Sequence, residues 1–156
     1  MKNYMMLVTI AVFATVLVGA NASAQDHEYV GAEKCKMCHK VQYASWQETT
    51  HSKATEHAKA STDRTFDASC LKCHATNATE ELPGVQCEAC HGAGGDFKKM
   101  SIMKDVEAAK ANGLKIPDQA TCDGCHTGED HANSKVFADE LNNKAAVHEF
   151  KNPPGE

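Results

Sequence analysis

The hydrophobic pattern changes abruptly near residue 24. A lone charge at Lys2 precedes an apolar run from Met5 to Val18 that carries Leu7, Val8, Ile10, Val12, Phe13, Val16 and Leu17. The run closes on Gly19 and Ala20 and then Ala22-Ser23-Ala24, the small-x-small pattern of a signal cleavage site. It is short for a membrane span, and the polar sequence that follows has no stop-transfer pattern. Residues 1–24 are therefore expected to be a secretory signal peptide cleaved after Ala24, leaving residues 25–156 as one small domain with no stable membrane insertion.

Beyond residue 24 the apolar positions recur at helical spacings, and no convincing strand emerges. The stretch from Ala32 to about Lys59 is rich in helix formers, with Trp46 on an apolar face. Ser101 is placed to cap a helix running to Ala111, because Asp105 and Glu107 lie early in it and Asn112-Gly113 is a stop signal. Ser134 is placed to cap another, in which Phe137, Leu141, Ala145 and His148 recur at spacings of four, four and three. Breaks fall at Leu82-Pro83-Gly84, Gly92-Ala93-Gly94-Gly95, Ile116-Pro117-Asp118 and Pro153-Pro154-Gly155. The expected fold is mainly α with extensive loops.

Composition changes that picture, because the helices have little to pack with. The chain holds 5 Phe, 3 Tyr and 1 Trp, and few long aliphatic residues follow the leader. A conventional core would be thin at this size, so apolar volume must come from elsewhere. The cysteines indicate the source. All eight lie in four copies of Cys-x-x-Cys-His: Cys35, Cys38 and His39; Cys70, Cys73 and His74; Cys87, Cys90 and His91; Cys122, Cys125 and His126. With 9 His in 156 residues, four chance repeats of the trailing His have a probability of about 1 in 100,000. Disulfide frameworks and structural zinc sites also use paired cysteines, but neither requires a histidine directly after each pair. The unit is a c-type haem attachment site. Two thiols one helical turn apart reach the two vinyl groups of one porphyrin, and the next residue, a good nitrogen ligand for iron, lies beneath the ring. The cofactor expectation is four covalently attached haems, one per 33 residues of the mature chain, with His39, His74, His91 and His126 as proximal ligands.

Motifs one and two begin 35 residues apart, as do motifs three and four, and the inner two only 17 apart, so the inner haems are expected to be close. Asp67-Ala68-Ser69-Cys70 and Gln119-Ala120-Thr121-Cys122 hint at a duplicated dihaem unit. The remaining histidines are His27, His51, His57, His131 and His148. A second imidazole gives a low-spin, low-potential iron suited to electron transfer, whereas an open iron binds small molecules. His51, after Trp46, is placed to reach a porphyrin other than its own.

The formal charge of −5 becomes −6 once Lys2 is removed, and haem propionates add negative charge, which argues against a nucleic-acid partner. Bacterial haem attachment of this type takes place outside the inner membrane, so leader and motifs both indicate the periplasm.

A family resemblance is carried by specific runs. Glu33-Lys34-Cys35-Lys36-Met37-Cys38-His39-Lys40, then Ala44-Ser45-Trp46 and Thr50-His51-Ser52-Lys53-Ala54, resemble the opening of the cytochrome c-554 family of tetrahaem cytochromes. Gly84-Val85-Gln86-Cys87-Glu88-Ala89-Cys90-His91-Gly92-Ala93-Gly94 is similar to that family's third haem motif. Phe137-Ala138-Asp139-Glu140-Leu141 through Ala146-Val147-His148-Glu149 is similar to its last helix. The resemblance implies that His51 completes the haem on His91, that His148 completes the haem on His126, and that the haem on His74 lacks a protein sixth ligand. One stretch departs from the family. Where the family places a histidine for the first haem, this chain reads Asp96-Phe97-Lys98-Lys99-Met100-Ser101-Ile102-Met103. For the His39 haem the candidates are therefore Met103 or Met100, His57 or His27, or no protein ligand.

Two function classes follow. Four haems without an obvious acid–base constellation favour a carrier that moves electrons between donor and acceptor proteins, and the resemblance implies a carrier of respiration or inorganic nitrogen metabolism. Such partners include membrane quinol-oxidising or terminal reductase complexes. The alternative is a small redox enzyme acting on nitric oxide or a related nitrogen oxide at an open iron on His74, with Glu80 and Glu81 nearby.

Overall fold

The structure is a computed structural model that describes residues 27–129, 131–141 and 143–149. The expected leader at 1–24 lies outside them. Among the described residues there are nine short α-helices and no strand: α1 (Ala32–Lys36), α2 (Lys40–Gln47), α3 (Ala54–Ala60), α4 (Leu71–His74), α5 (Cys87–His91), α6 (Met100–Met103), α7 (Val106–Ala111), α8 (Gln119–Asp123) and α9 (Phe137–Glu140). Two 3₁₀ turns, Ala68–Cys70 and Thr76–Ala78, flank α4. The mainly helical, loop-rich expectation holds.

The helices are shorter than periodicity suggests, for local reasons. The stretch from Ala32 to Lys59 is three helices, because His39 leaves the helical region (φ −105°, ψ 51°) and turns the chain between α1 and α2. Ser101 is not a cap. The helix expected there is split, and Asp105, on extended backbone, accepts from the Glu107 and Ala108 amides at 2.9 and 3.1 Å to start α7. The stop at Asn112-Gly113 is as expected, with Gly113 at φ +99°. Ser134 is not a cap either. The Gln119 side chain donates to Lys135 O and accepts from the Phe137 amide, so α9 starts at Phe137 and ends within one turn. Leu141, Ala145 and His148 therefore do not continue its face.

Among the described residues the buried apolar ones are Ala32, Tyr43, Leu71, Ala75, Ala93, Phe97 and Ala109, and four of these seven are alanines. Helices this short are marginal on their own, and buried polar groups brace them. Glu88, 2% exposed, accepts from the amides of Val30 (2.9 Å), Gly31 (2.7 Å) and Gly94 (2.6 Å), tying the start of α1 and the glycine loop to α5. The Thr55 hydroxyl donates to His74 O and accepts from the Gly84 amide at 2.7 Å. The Thr76 hydroxyl donates to Gly84 O at 2.9 Å and accepts from the Gln86 amide at 2.8 Å. The 82–86 loop is thereby fixed against both α3 and α4.

Candidate haem centres

The eight cysteines form no disulfide, and their thiols bring the motifs together in a definite order. Cys35 lies beside Cys87, and that neighbour together with burial pushes the Cys35 thiol up. Cys90 is raised by burial and by the neighbouring Cys122. Cys125 is pushed up to about 12 by burial and by the neighbouring Cys73. Motif one thus meets motif three, motif three meets motif four, and motif four meets motif two. Cys73 of motif two, Ala89 of motif three and Cys125 of motif four line one cavity of about 330 Å³.

The histidines are held by the backbone. Nδ1 of His74 lies 3.2 Å from Ala54 O, that of His91 3.3 Å from Lys115 O, that of His126 3.0 Å from Asn133 O, and that of His148 3.0 Å from Glu149 O. His51 shares a hydrogen bond with the Ala146 backbone. A ring that donates through Nδ1 presents the Nε2 lone pair, the arrangement metal-binding imidazoles require. Burial holds His51 and His91 below the usual imidazole value, so both are neutral at pH 7, the ligating form.

Three pairs of rings face each other. Ring centres are 6.1 Å apart for His51 and His126, 6.4 Å for His91 and His148, and 5.9 Å for His74 and His131. Two Fe–N bonds of about 2.0 Å, plus about 1.1 Å from each nitrogen to its ring centre, require about 6.2 Å. The donors come in opposed twos, and among the described residues no three or more His, Cys, Asp or Glu converge on a bare ion. Two opposed imidazoles are what an iron needs when a porphyrin supplies its other four nitrogens. The residues fit haem.

The rings that face each other differ from the pairing implied by the resemblance. His51 faces His126 instead of His91, and His148 faces His91 instead of His126. The chain's tethers account for this: the Glu149 amide donates to Ser45 Oγ at 2.8 Å, drawing the C-terminal segment onto α2. His74 also has a facing imidazole where none was expected.

Around His39 the candidates are unequal. His27 has Nδ1 2.8 Å from Asp96 Oδ2, which would leave Nε2 for a ligand, but the Nε2 edge of its ring packs against Gly113. His57 is exposed on α3, Met100 is exposed, and Met103 is half-buried at the end of α6. Glu80 forms a 2.6 Å ion pair with Lys59, and Glu81 is exposed, so both are surface charges. The sequence reading missed Glu88, whose place inside motif three carries no signal, since the two residues between the cysteines are unconstrained by the haem chemistry.

Known proteins place this arrangement. Residues 34–92 match the family model described as cytochrome c554 and c-prime, which spans motifs one to three. Cytochrome c-554 of Nitrosomonas europaea is 32% identical over an alignment covering 71% of this chain; the chain spans 57% of that relative's length. The structure of reduced cytochrome c554 from Nitrosomonas europaea superposes with a TM-score of 0.62 at 24% identity, covering 83% of this chain and 89% of that one, and shows the shared fold. With four Cys-x-x-Cys-His units on that fold, this is a protein of four covalently bound c-type haems that is similar to the cytochrome c-554 family.

Proposed function

We propose that the chain is an electron carrier in which four haems form one conducting path, in the motif order one, three, four, two. The observation that carries this reading is the run of thiol contacts, Cys35 with Cys87, Cys90 near Cys122, and Cys125 with Cys73. Cysteines that lie side by side would anchor neighbouring haems, and short separations between haems favour rapid electron exchange. Bound haem supplies the iron couple that accepts and gives up one electron. The protein fixes ligands and burial, and with them the potentials.

In this reading Cys35, Cys38, Cys70, Cys73, Cys87, Cys90, Cys122 and Cys125 are the anchors, and His39, His74, His91 and His126 each supply one axial ligand. His51 completes the His126 site and His148 the His91 site. For the His39 site we propose Met103, supported by the missing histidine at 96–103 and by the half-burial of Met103 beside exposed Met100. A thioether there makes this end of the path the higher-potential one. Residues 1–24 direct the mature domain, 25–156, to the periplasm, where it exchanges electrons with a donor and an acceptor protein, among them membrane quinol-oxidising or terminal reductase complexes.

A pyridine haemochrome assay of the purified holoprotein is expected to give four haems per chain, and a redox titration is expected to resolve couples of unequal potential. In stopped-flow mixing, reduction by a small donor should reach all four haems in one kinetic event faster than protein–protein exchange. With a donor whose potential lies below that of all four couples, a haem that stays oxidised while the others are reduced would overturn the single path. A methionine-to-iron charge-transfer band in the near-infrared magnetic circular dichroism of the ferric protein, lost in Met103→Ala, tests the His39 ligand.

A further inference from the structure

We propose that His131 is the sixth ligand of the iron carried on His74, so that the second haem is a closed, bis-imidazole centre with no free coordination position. The proposal rests on the haem reading above and concerns a residue outside the resemblance and outside the four motifs.

Three observations carry it. The rings of His74 and His131 are parallel to within 9° with centres 5.9 Å apart, the same span as the pairs His51–His126 and His91–His148. A contact that merely stacked two imidazoles would have no reason to reproduce that span. His74 is oriented for ligation, with Nδ1 turned to Ala54 O and the opposite nitrogen available to iron. The segment that delivers His131 is built to reach motif two. Cys125 sits against Cys73 and Lys72 O, docking motif four on motif two. From there the chain turns back through Gly128 N donating to Ala132 O at 2.7 Å and Ala132 N donating to Glu129 O at 2.9 Å. His126 Nδ1 on Asn133 O and Gln119 on Lys135 O fix the far side of the turn. His131 lies at its tip.

The chemical consequence is specific. A second imidazole lone pair makes the iron six-coordinate and low-spin and lowers its potential, and it removes the position at which nitric oxide or another small ligand would bind. The reading of the chain as a nitrogen-oxide reductase at His74 then has no site. The four-residue interval between His126 and His131 means that one short loop both follows the attachment of the fourth haem and closes the second, coupling the maturation of the two.

The experiment compares the holoprotein with His131→Ala and His131→Met by electron paramagnetic resonance, near-infrared magnetic circular dichroism and carbon monoxide titration. In His131→Ala one further haem in four is expected to become high-spin, carbon monoxide binding to the reduced protein should rise by one equivalent, and added imidazole should restore the parent spectrum. His131→Met, which keeps a ligand and covers the case in which the alanine protein does not mature, should gain one haem equivalent of methionine-to-iron charge-transfer intensity. Unchanged spin state and carbon monoxide stoichiometry in the alanine protein, or no added band in the methionine protein, overturns the proposal. So does a spin change that persists when His131→Ala is placed in a Cys70→Ala/Cys73→Ala background, because the ligand would then serve another iron. Failure of the carrier reading would show separately, as a haem count below four or as a haem cut off from the others whatever its spin state.

Discussion

Glu88 binds three backbone amides with one carboxylate, and no other group among the described residues is placed to replace it. Each buried N–H left without a partner costs about 1–3 kcal/mol, so Glu88→Ala should lose several kcal/mol and accumulate little holoprotein. Glu88→Gln keeps acceptor capacity on one oxygen only and should be intermediate; thermal melting of the holoprotein at the haem absorbance checks the ranking. Gly84 is a second pressure point. It sits at φ +76°, and a Cβ there would lie 2.4 Å from Ser52 O and 3.1 Å from His51 O. The Val85 amide donates to His51 O at 2.8 Å, so Gly84→Ala must push away the segment that holds the His51 ring. The expected result is partial loss of the low-spin signal of one haem, whereas Gly124→Ala, with no backbone atom nearer than 3.5 Å, should leave the spectrum unchanged.

At the scale of elements, caps and tethers set the helix ends more than periodicity does. Asp105→Ala removes the bonds to the Glu107 and Ala108 amides and should cost about 0.5–2 kcal/mol by loss of the cap. Haem spectra should be unaffected, because α7 carries no ligand; chemical denaturation followed by tryptophan fluorescence reads the loss. The same helix shows what was legible. Asn112-Gly113 marked its end because a glycine C-terminal signal is local, and Ser101 misled because the carboxylate four residues on, which reads as a first-turn charge, is itself the cap. Likewise the Cys-x-x-Cys-His units could be read directly, since covalent chemistry fixes their spacing within five residues. Which distal histidine meets which motif could not, because it depends on long-range tethers such as the Glu149 amide on Ser45, 104 residues apart. The partner of His131 is hidden for the same reason: five residues past His126 in sequence, His131 faces a ring on α4.

At the scale of the whole molecule, four alanines among seven buried apolar residues leave the fold dependent on what the motifs bind. Protein produced without haem attachment should be largely unfolded, and native-like circular dichroism in that form would refute the dependence. The surface charge makes a different demand. The chain carries a formal charge of −5, and propionates deepen it. Long-range attraction therefore favours an electropositive docking face on the donor or acceptor, with association governed by charge as well as by shape. Screening shortens the reach of that attraction to about 10 Å at 0.1 M ionic strength. The rate of reduction by a basic redox protein should therefore fall steeply as salt is raised from 10 mM to 0.5 M, while reduction by a small neutral donor stays nearly flat. A rate that rises with salt for the basic partner would mean that contact is apolar, and would move the docking surface to the exposed Met37 and Val41 beside the first motif.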